Sequence, residues 1–296
     1  MSARHAKAMK IEHSGLVLRR PLAIVAGGGF FPVEVARHAR VNGFDPVFIA
    51  LKGFASRALI QEAGTLWVDL LKPQDLLAAL KSCRPAGVVL AGHVKRPGPH
   101  LLVSAFSNFK ESSHLLSLLA QGDDHLLRGA VAALEQEGLQ LHGIDEVAPG
   151  LLCPAGTLGS VRPQGDEIER MMVTGFNLLR ALSPFDCGQA AVIEGARVLA
   201  IEGPEGTDRM LKRCSPPWYR MFNPPQLLPR LFVKAAKQGQ ERRADLPAVG
   251  PKTIEACARA GISGLAVQAG SVVLIERKEM VRLADAKGLF ITGVKV

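Results

Sequence analysis

The stretch LAIVAGGGFFPVEVARHARVNGFDPVFIAL, beginning at Leu22, narrows the fold more than any other part of this 296-residue chain. A short apolar run leads into Gly27, Gly28 and Gly29, then Pro32, then apolar residues at helical spacing (Val33, Val35, Ala36, Ala39), then a second apolar run. Strand periodicity that gives way to helical periodicity and returns reads as a βαβ unit. Such a unit favours a parallel sheet with right-handed crossovers. The alternation continues: LWVDL and GVVLAG read as strands, PQDLLAALKSC as the helix between them, residues 111–120 as a helical stretch, DDHLLRGAVAALEQEG as a helix and LQLHGID as a strand. The expectation is a Rossmann-like, doubly wound α/β domain.

The grammar changes at CPAGTLGSVRPQGDE, whose glycines and prolines break the periodicity and mark a boundary. Beyond it, residues 167–182 read as a helix and GQAAVIEGARVLAIEG as an antiparallel hairpin turning at residues 194–197. GPKTIEACARAG, SGLAVQAGSVVLIE, RKEMVRLADAKG and LFITGV read as helix, two strands, helix and strand. The expected organisation is an extension over residues 1–20 outside the fold, a Rossmann-like domain over 21–155 and a mixed α/β domain over 156–296.

Charge narrows the partners: 36 Lys and Arg against 27 Asp and Glu leave +9, which asks for an anion such as nucleic acid, a membrane surface or a phosphorylated small molecule. The surplus is uneven, with five cations and one acid in residues 1–20, 11 against 12 in residues 21–160, and 20 against 14 in residues 161–296. A nearly neutral first domain argues against nucleic acid. Residues 209–243 hold nine of the cations, Lys234 and Lys237 among them, with Trp218, Tyr219 and Phe222. Aromatic residues among cations suit a membrane surface, and no apolar run approaches the ~20 residues of a spanning helix, so the contact expected is peripheral. Five scattered cysteines, none at zinc or thioredoxin spacing, read as small hydrophobes in a reducing, cytoplasmic compartment.

Chemistry can sit in five places. The glycine turn, with Pro32 where a helix starts, can offer backbone N–H groups of Gly27, Gly28 and Gly29 to a phosphate, or can simply need glycine for its backbone geometry. It also motivates an alternative, an NAD(P)-dependent oxidoreductase, although Pro32 stands at the third glycine position and no acid ends the second strand. The loop GHVKRPG follows another strand at the same sheet edge, so His93, Lys95 and Arg96 can face the same crevice. Asp123 and Asp124 open a helix, where one can cap while the other is left for a magnesium ion, which takes one or two carboxylates plus phosphate oxygens. EGPEGTDRMLKRC brings Glu202, Glu205 and Asp208 onto one loop, with Thr207 placed to cap the helix after it. In RADLPAVGPKT, Asp245 is a turn former, a metal ligand or a general base. All eight histidines precede residue 143 without HExxH spacing, and neither a GxSxG elbow nor a P-loop occurs, which removes zincin, serine-hydrolase and P-loop chemistry.

Taken in order, AGGGFFPVEVA, AGHVKRP, GDDHLLRG, GQAAVIEGARVLAIEGPEGTDRMLKR and RADLPAVGPKTIEACARAGISGLAVQAG resemble the bacterial UDP-2,3-diacylglucosamine pyrophosphatase family unrelated to calcineurin-type phosphoesterases. The resemblance covers residues 21–296 and implies magnesium-dependent hydrolysis of UDP-2,3-diacylglucosamine to 2,3-diacylglucosamine 1-phosphate and UMP in lipid A biosynthesis, leaning towards attack at the β phosphorus. It implies a substrate held between the two domains, Asp245 as the key catalytic acid, and Asp123, Asp124 and Asp208 as further carboxylates, with magnesium on Asp123, Asp124 and Asp245. Gly27, Gly28, Gly29, His93, Arg96 and Thr207 are the expected substrate-binding residues, in a cytoplasmic enzyme touching the inner membrane face.

Overall fold

The computed structural model describes residues 20–94, 123–214 and 228–296, with backbone alone for 123–127. The extension up to residue 19, residues 111–120 with Lys95 and Arg96, and the aromatic group Trp218, Tyr219 and Phe222 lie outside the described residues, while Arg20, placed with the extension, begins the first strand.

In the first half, β1 (Arg20–Ala26), β2 (Phe44–Leu51), β3 (Leu66–Val68) and β4 (Gly87–Ala91) form one parallel sheet in the order β3-β2-β1-β4. The central strand explains its unbroken apolar run: Leu22, Ile24 and Ala26 enter one buried cluster, Ala23 and Val25 another, so both faces are covered. Helix α1 (Phe31–Val41) carries Pro32 in its first turn and buries Val35, Ala36 and Ala39 on the first face. Helix α2 (Pro73–Ser82) and helix α3 (Asp123–Gln136) supply Leu80 and Val131 to the second. LQLHGID departs from expectation. It contributes a single parallel bridge, Val88 to Leu141, before Gly143 begins the short helix α4 (Ile144–Val147).

In the second half, β5 (Gly156–Leu158), α5 (Asp166–Leu182), β6 (Ala190–Glu194), β7 (Arg197–Ile201), α6 (Thr207–Arg213), β8 (Arg230–Lys234), β9 (Ala248–Val249), α7 (Pro251–Arg259), β10 (Gly264–Gln268), β11 (Val273–Leu274), α8 (Arg277–Ala286) and β12 (Phe290–Val294) follow in order. Six strands make a mixed sheet, β5-β12-β10-β8-β6-β7, in which β12, β10 and β8 run parallel and β6–β7 is the expected hairpin. The two strands of SGLAVQAGSVVLIE do not pair: β10 is central in the large sheet, whereas β11 joins β9. Strand β8 was not foreseen within the basic stretch. Its Arg230 is buried beside Glu194 at 2.8 Å and donates to the carbonyls of Cys214 and Ala260, so this cation is internal. All five cysteines are free, and burial pushes the Cys153 thiol up to about 11.

The halves share a seam. Leu246, Ala248, Val273 and Ile275 pack with the α1 face of the first sheet, and Leu152 bridges to Val273. Glu34 on α1, 6% exposed, accepts the Glu276 N–H at the start of α8 at 2.9 Å, and Arg37 stands 3.5 Å away. Burial dominates and raises the Glu34 pKa above the ordinary glutamate value. The folded state therefore prefers the protonated acid, so the stability it contributes is complete below the unfolded value of about 4.3 and is lost as pH rises through the folded value. Glu34→Gln keeps an acceptor for Glu276 and removes the charge. Its melting temperature is expected to exceed wild type at neutral pH, with the difference closing below pH ~4.3; a difference independent of pH contradicts this account.

Candidate active site

In a parallel sheet of order β3-β2-β1-β4, the order in which strands are added reverses between β1 and β4, and ligands favour the crevice at the carboxyl ends there. The glycine turn follows β1 and Gly92–His93 follows β4, so both expected loops meet at that point. They are zipped together: Gly27 N–H donates to Ala91 O, Gly28 N–H to His93 O, and His93 N–H to Gly28 O. A Cβ on Gly27 would lie 2.7 Å from His93 O, and one on Gly28 would lie 2.6 Å from the His93 ring. Close approach of backbone therefore requires these glycines. The expectation that all three offer N–H groups to phosphate is corrected, because Gly27 and Gly28 spend theirs on carbonyls; Gly29 alone has no acceptor among the described residues. His93 lies against the glycine turn as expected, with its ring over Gly28.

In the second half the acids gather around a cation. Lys234 ends β8 opposite Ala190, and Glu202 N–H donates to Ala190 O, so one residue of β6 brings the two side chains together. The Lys234 ammonium donates to Thr207 Oγ1 at 2.8 Å, and Thr207 donates to Glu202 Oε1 at 2.6 Å. Glu202 Oε2 accepts the Gln189 N–H at 2.9 Å. Lys234 is 6% exposed, and burial pulls its pKa down while the charges of Glu202, Asp245 and Asp208 push it back up. Thr207, expected as a helix cap and a substrate contact, is neither capping nor unengaged: Gly206 precedes the helix and the hydroxyl serves Glu202 and Lys234. Glu205 leaves the group by pairing with the Arg213 guanidinium; a hydrogen bond from its own backbone N–H, and then Arg213, hold its carboxyl below the usual range.

Asp245 occupies a loop that both halves grip. Its N–H donates to Glu241 O at 3.0 Å, and its carboxylate accepts the Gln240 amide. Arg242 reaches Asp145 of α4 at 3.3 Å and, from the same guanidinium, Ser271 Oγ at 3.0 Å and Gly270 O at 2.9 Å. Helix α3 lies along the same loop, with Glu135 pairing with Arg243 and Arg128 donating to Gly239 O. That helix begins at Asp123 and Asp124, as expected, five residues before Arg128 or about 7.5 Å of helix rise. Arg96 and the side chains of Asp123 and Asp124 lie outside the described residues. Among the described residues no three His, Cys, Asp or Glu side chains group as a metal centre.

Sequence reasoning missed Lys234, Gln240 and Arg242, and it assigned Lys234 to a membrane-facing patch. The buried ammonium of Lys234 cannot contact a membrane, and Lys237 pairs with Asp186 at 2.6 Å. The pattern RLFVK, a charge at each end of three apolar residues, was the available strand signal. An open cavity of about 890 Å³ lies at the other end of the sheet, where Pro229, Ser263 and Phe290 precede or begin β8, β10 and β12, and it holds none of these acids. No helix among the described residues is long and apolar enough to cross a membrane.

Fold and seam together define a two-domain α/β protein, with a parallel first sheet, a mixed second sheet and carboxylates at the carboxyl end of β8 and on the connecting loop. Comparison with known families gives the particular one. The LpxI N-terminal domain matches residues 21–151 and the LpxI C-terminal domain matches residues 154–292. The protein of Caulobacter vibrioides named UDP-2,3-diacylglucosamine pyrophosphatase LpxI is 33% identical over 275 residues, spanning 93% of this chain and 98% of its own. The chain belongs to the LpxI family.

The zipped loops separate two kinds of clash. Gly27→Ala drives a methyl into a backbone carbonyl and is expected to cost about 1–3 kcal/mol in urea unfolding, whether or not His93 is also truncated. For Gly28→Ala the nearest atoms all belong to the imidazole, so His93→Ala is expected to restore most of its loss. Equal rescue of both variants would contradict the geometry described.

Proposed function

We propose that this chain hydrolyses the pyrophosphate bond of UDP-2,3-diacylglucosamine to 2,3-diacylglucosamine 1-phosphate and UMP, a step of lipid A biosynthesis, with magnesium as cofactor. Likeness to the Caulobacter pyrophosphatase along nearly the whole chain supports the substrate. The observation that carries the site is the position of Asp245, on a loop bound by α3 and α4 from one side and by Gly270 and Ser271 from the other.

The donor set suits magnesium. Asp208 and Asp245 are hard oxygen donors whose charges both act on Lys234, and α3, whose Arg128 and Glu135 hold the Asp245 loop, begins at Asp123 and Asp124. Magnesium needs only one or two carboxylates when phosphate oxygens and water complete its octahedron, so a preformed three-acid centre is not required. We assign Asp123, Asp124 and Asp245 to hold the ion, which would neutralise charge on the diphosphate when bound. The chain's own residues do the rest. Asp245, fixed by Gln240 and by its own N–H, orients the attacking water or the ion, while Asp208 adds a second carboxylate. Gly29 N–H and His93 face the substrate from the first half. Packing of the two halves across the seam excludes water from the reacting bond.

The dinucleotide alternative gains nothing, because Gly27 and Gly28 have no N–H to give a pyrophosphate and β2 ends in Leu51. The reading carries with it a cytoplasmic location and a peripheral contact with the inner membrane face, where the diacyl substrate resides.

Purified full-length protein incubated with UDP-2,3-diacylglucosamine is expected to release UMP with magnesium and to stop with chelator. Asp245→Asn should lose about 10²–10⁴-fold in kcat without loss of melting temperature. In ¹⁸O-water the label is expected in the lipid phosphate, as attack at the β phosphorus requires. UMP release that persists in chelator, or wild-type turnover by Asp245→Asn, would overturn the assignment.

A further inference from the structure

Lys234 is a cation in an unusual position. It is 6% exposed, and among the described residues its ammonium has one hydrogen-bond acceptor, the neutral Thr207 hydroxyl. Among the described residues no carboxylate is paired with it directly, although Glu202 lies one hydroxyl away and Asp208 and Asp245 also act on it. Arg230, at the opposite end of the same strand, shows the contrasting arrangement: a direct ion pair to Glu194 plus two backbone carbonyls. A buried charge whose only task is to fill space is outperformed by an apolar side chain of similar volume. The ammonium of Lys234 therefore has a task that Met could not perform.

We propose that Lys234 is a positioning residue for pyrophosphate cleavage. Its ammonium holds Thr207, and through it Glu202 and the first turn of α6, so that the Asp208 carboxylate projects from a fixed place. It is also the buried ammonium on which the charges of Glu202, Asp208 and Asp245 all act, at one corner of the second half. Asp245 is one of the carboxylates assigned to the ion, so the charge of Lys234 sets how strongly this corner draws metal before substrate arrives. This inference rests on the pyrophosphatase reading for its catalytic part only.

The test uses the full chain and two independent readouts. Mn²⁺, a carboxylate-binding substitute for magnesium, is titrated into substrate-free protein and the free ion read by electron paramagnetic resonance. Lys234→Met is expected to bind Mn²⁺ about tenfold more tightly, because a positive charge has left the corner. With UDP-2,3-diacylglucosamine its kcat should fall about 100-fold, the scale of a misplaced catalytic group. Its KM should move by less than about threefold, since uniform substrate binding is untouched. Thr207→Val, which breaks the link to Glu202, should lower kcat in the same direction, and Thr207→Ser should recover most of that loss. Unchanged Mn²⁺ affinity in Lys234→Met, or a rise in KM with kcat intact, overturns the proposal. Should Lys234→Met fail to fold, wild-type kcat in Thr207→Val overturns it and a fall restored by Thr207→Ser supports it. Absence of UMP release by the wild type would instead remove the pyrophosphatase reading, and the Mn²⁺ titration would still decide the charge role of Lys234.

Discussion

Everything chemical in this chain depends on one stretch, residues 239–249, being claimed by both halves at once. The Arg242 guanidinium spans from Asp145 in the first half to Ser271 and Gly270 in the second, and a few residues later Leu246 and Ala248 insert beside the α1 face of the first sheet. A polar fork on one side and apolar burial on the other leave the backbone at Asp245 little freedom. Neither half alone could supply both restraints, so the position of that carboxylate reports how the two halves sit together. Glu34 and Glu276 tie the same seam further along, at the cost of keeping a carboxylate out of water.

Electrostatically, the chain is the reverse of what its +9 suggests. The described cations of the basic stretch are largely consumed inside the fold or on its surface: Arg230 by Glu194, Lys237 by Asp186, and Arg243 by Glu135 and Glu241. The corner proposed for catalysis is acid-rich, and the Lys234 ammonium within it is shielded from solvent. An anionic diphosphate meets such a corner only with a divalent cation between them, which is why the argument for magnesium comes from the carboxylates and not from the net charge.

Much of the architecture was legible in periodicity. Alternating strands and helices up to residue 91 are local patterns, and so is the hairpin after residue 189, because turn chemistry and apolar runs decide them. LQLHGID deceived because its alternation is real but only Leu141 reaches β4 before Gly143 turns the chain into a helix. RLFVK was passed over because five residues bounded by proline-rich and polar sequence carry too weak a signal. The acids were visible as residue types, yet their grouping was not. Lys234, Thr207 and Glu202 meet because β8 lies beside β6 with Lys234 opposite Ala190, a register set by the completed six-stranded sheet. Likewise the glycine turn was visible, while its engagement with His93 depends on β4 being the neighbour of β1.

Hydrogen exchange read by mass spectrometry tests most directly the claim that catalysis sits at the seam. Asp245→Asn protein is compared with and without UDP-2,3-diacylglucosamine and magnesium. The account predicts protection in both halves together: in the turn after β1, in the loop leading into α6 and in residues 239–249. Protection confined to one half, or centred on the cavity beside Ser263 and Phe290 at the far end of the sheet, would contradict it.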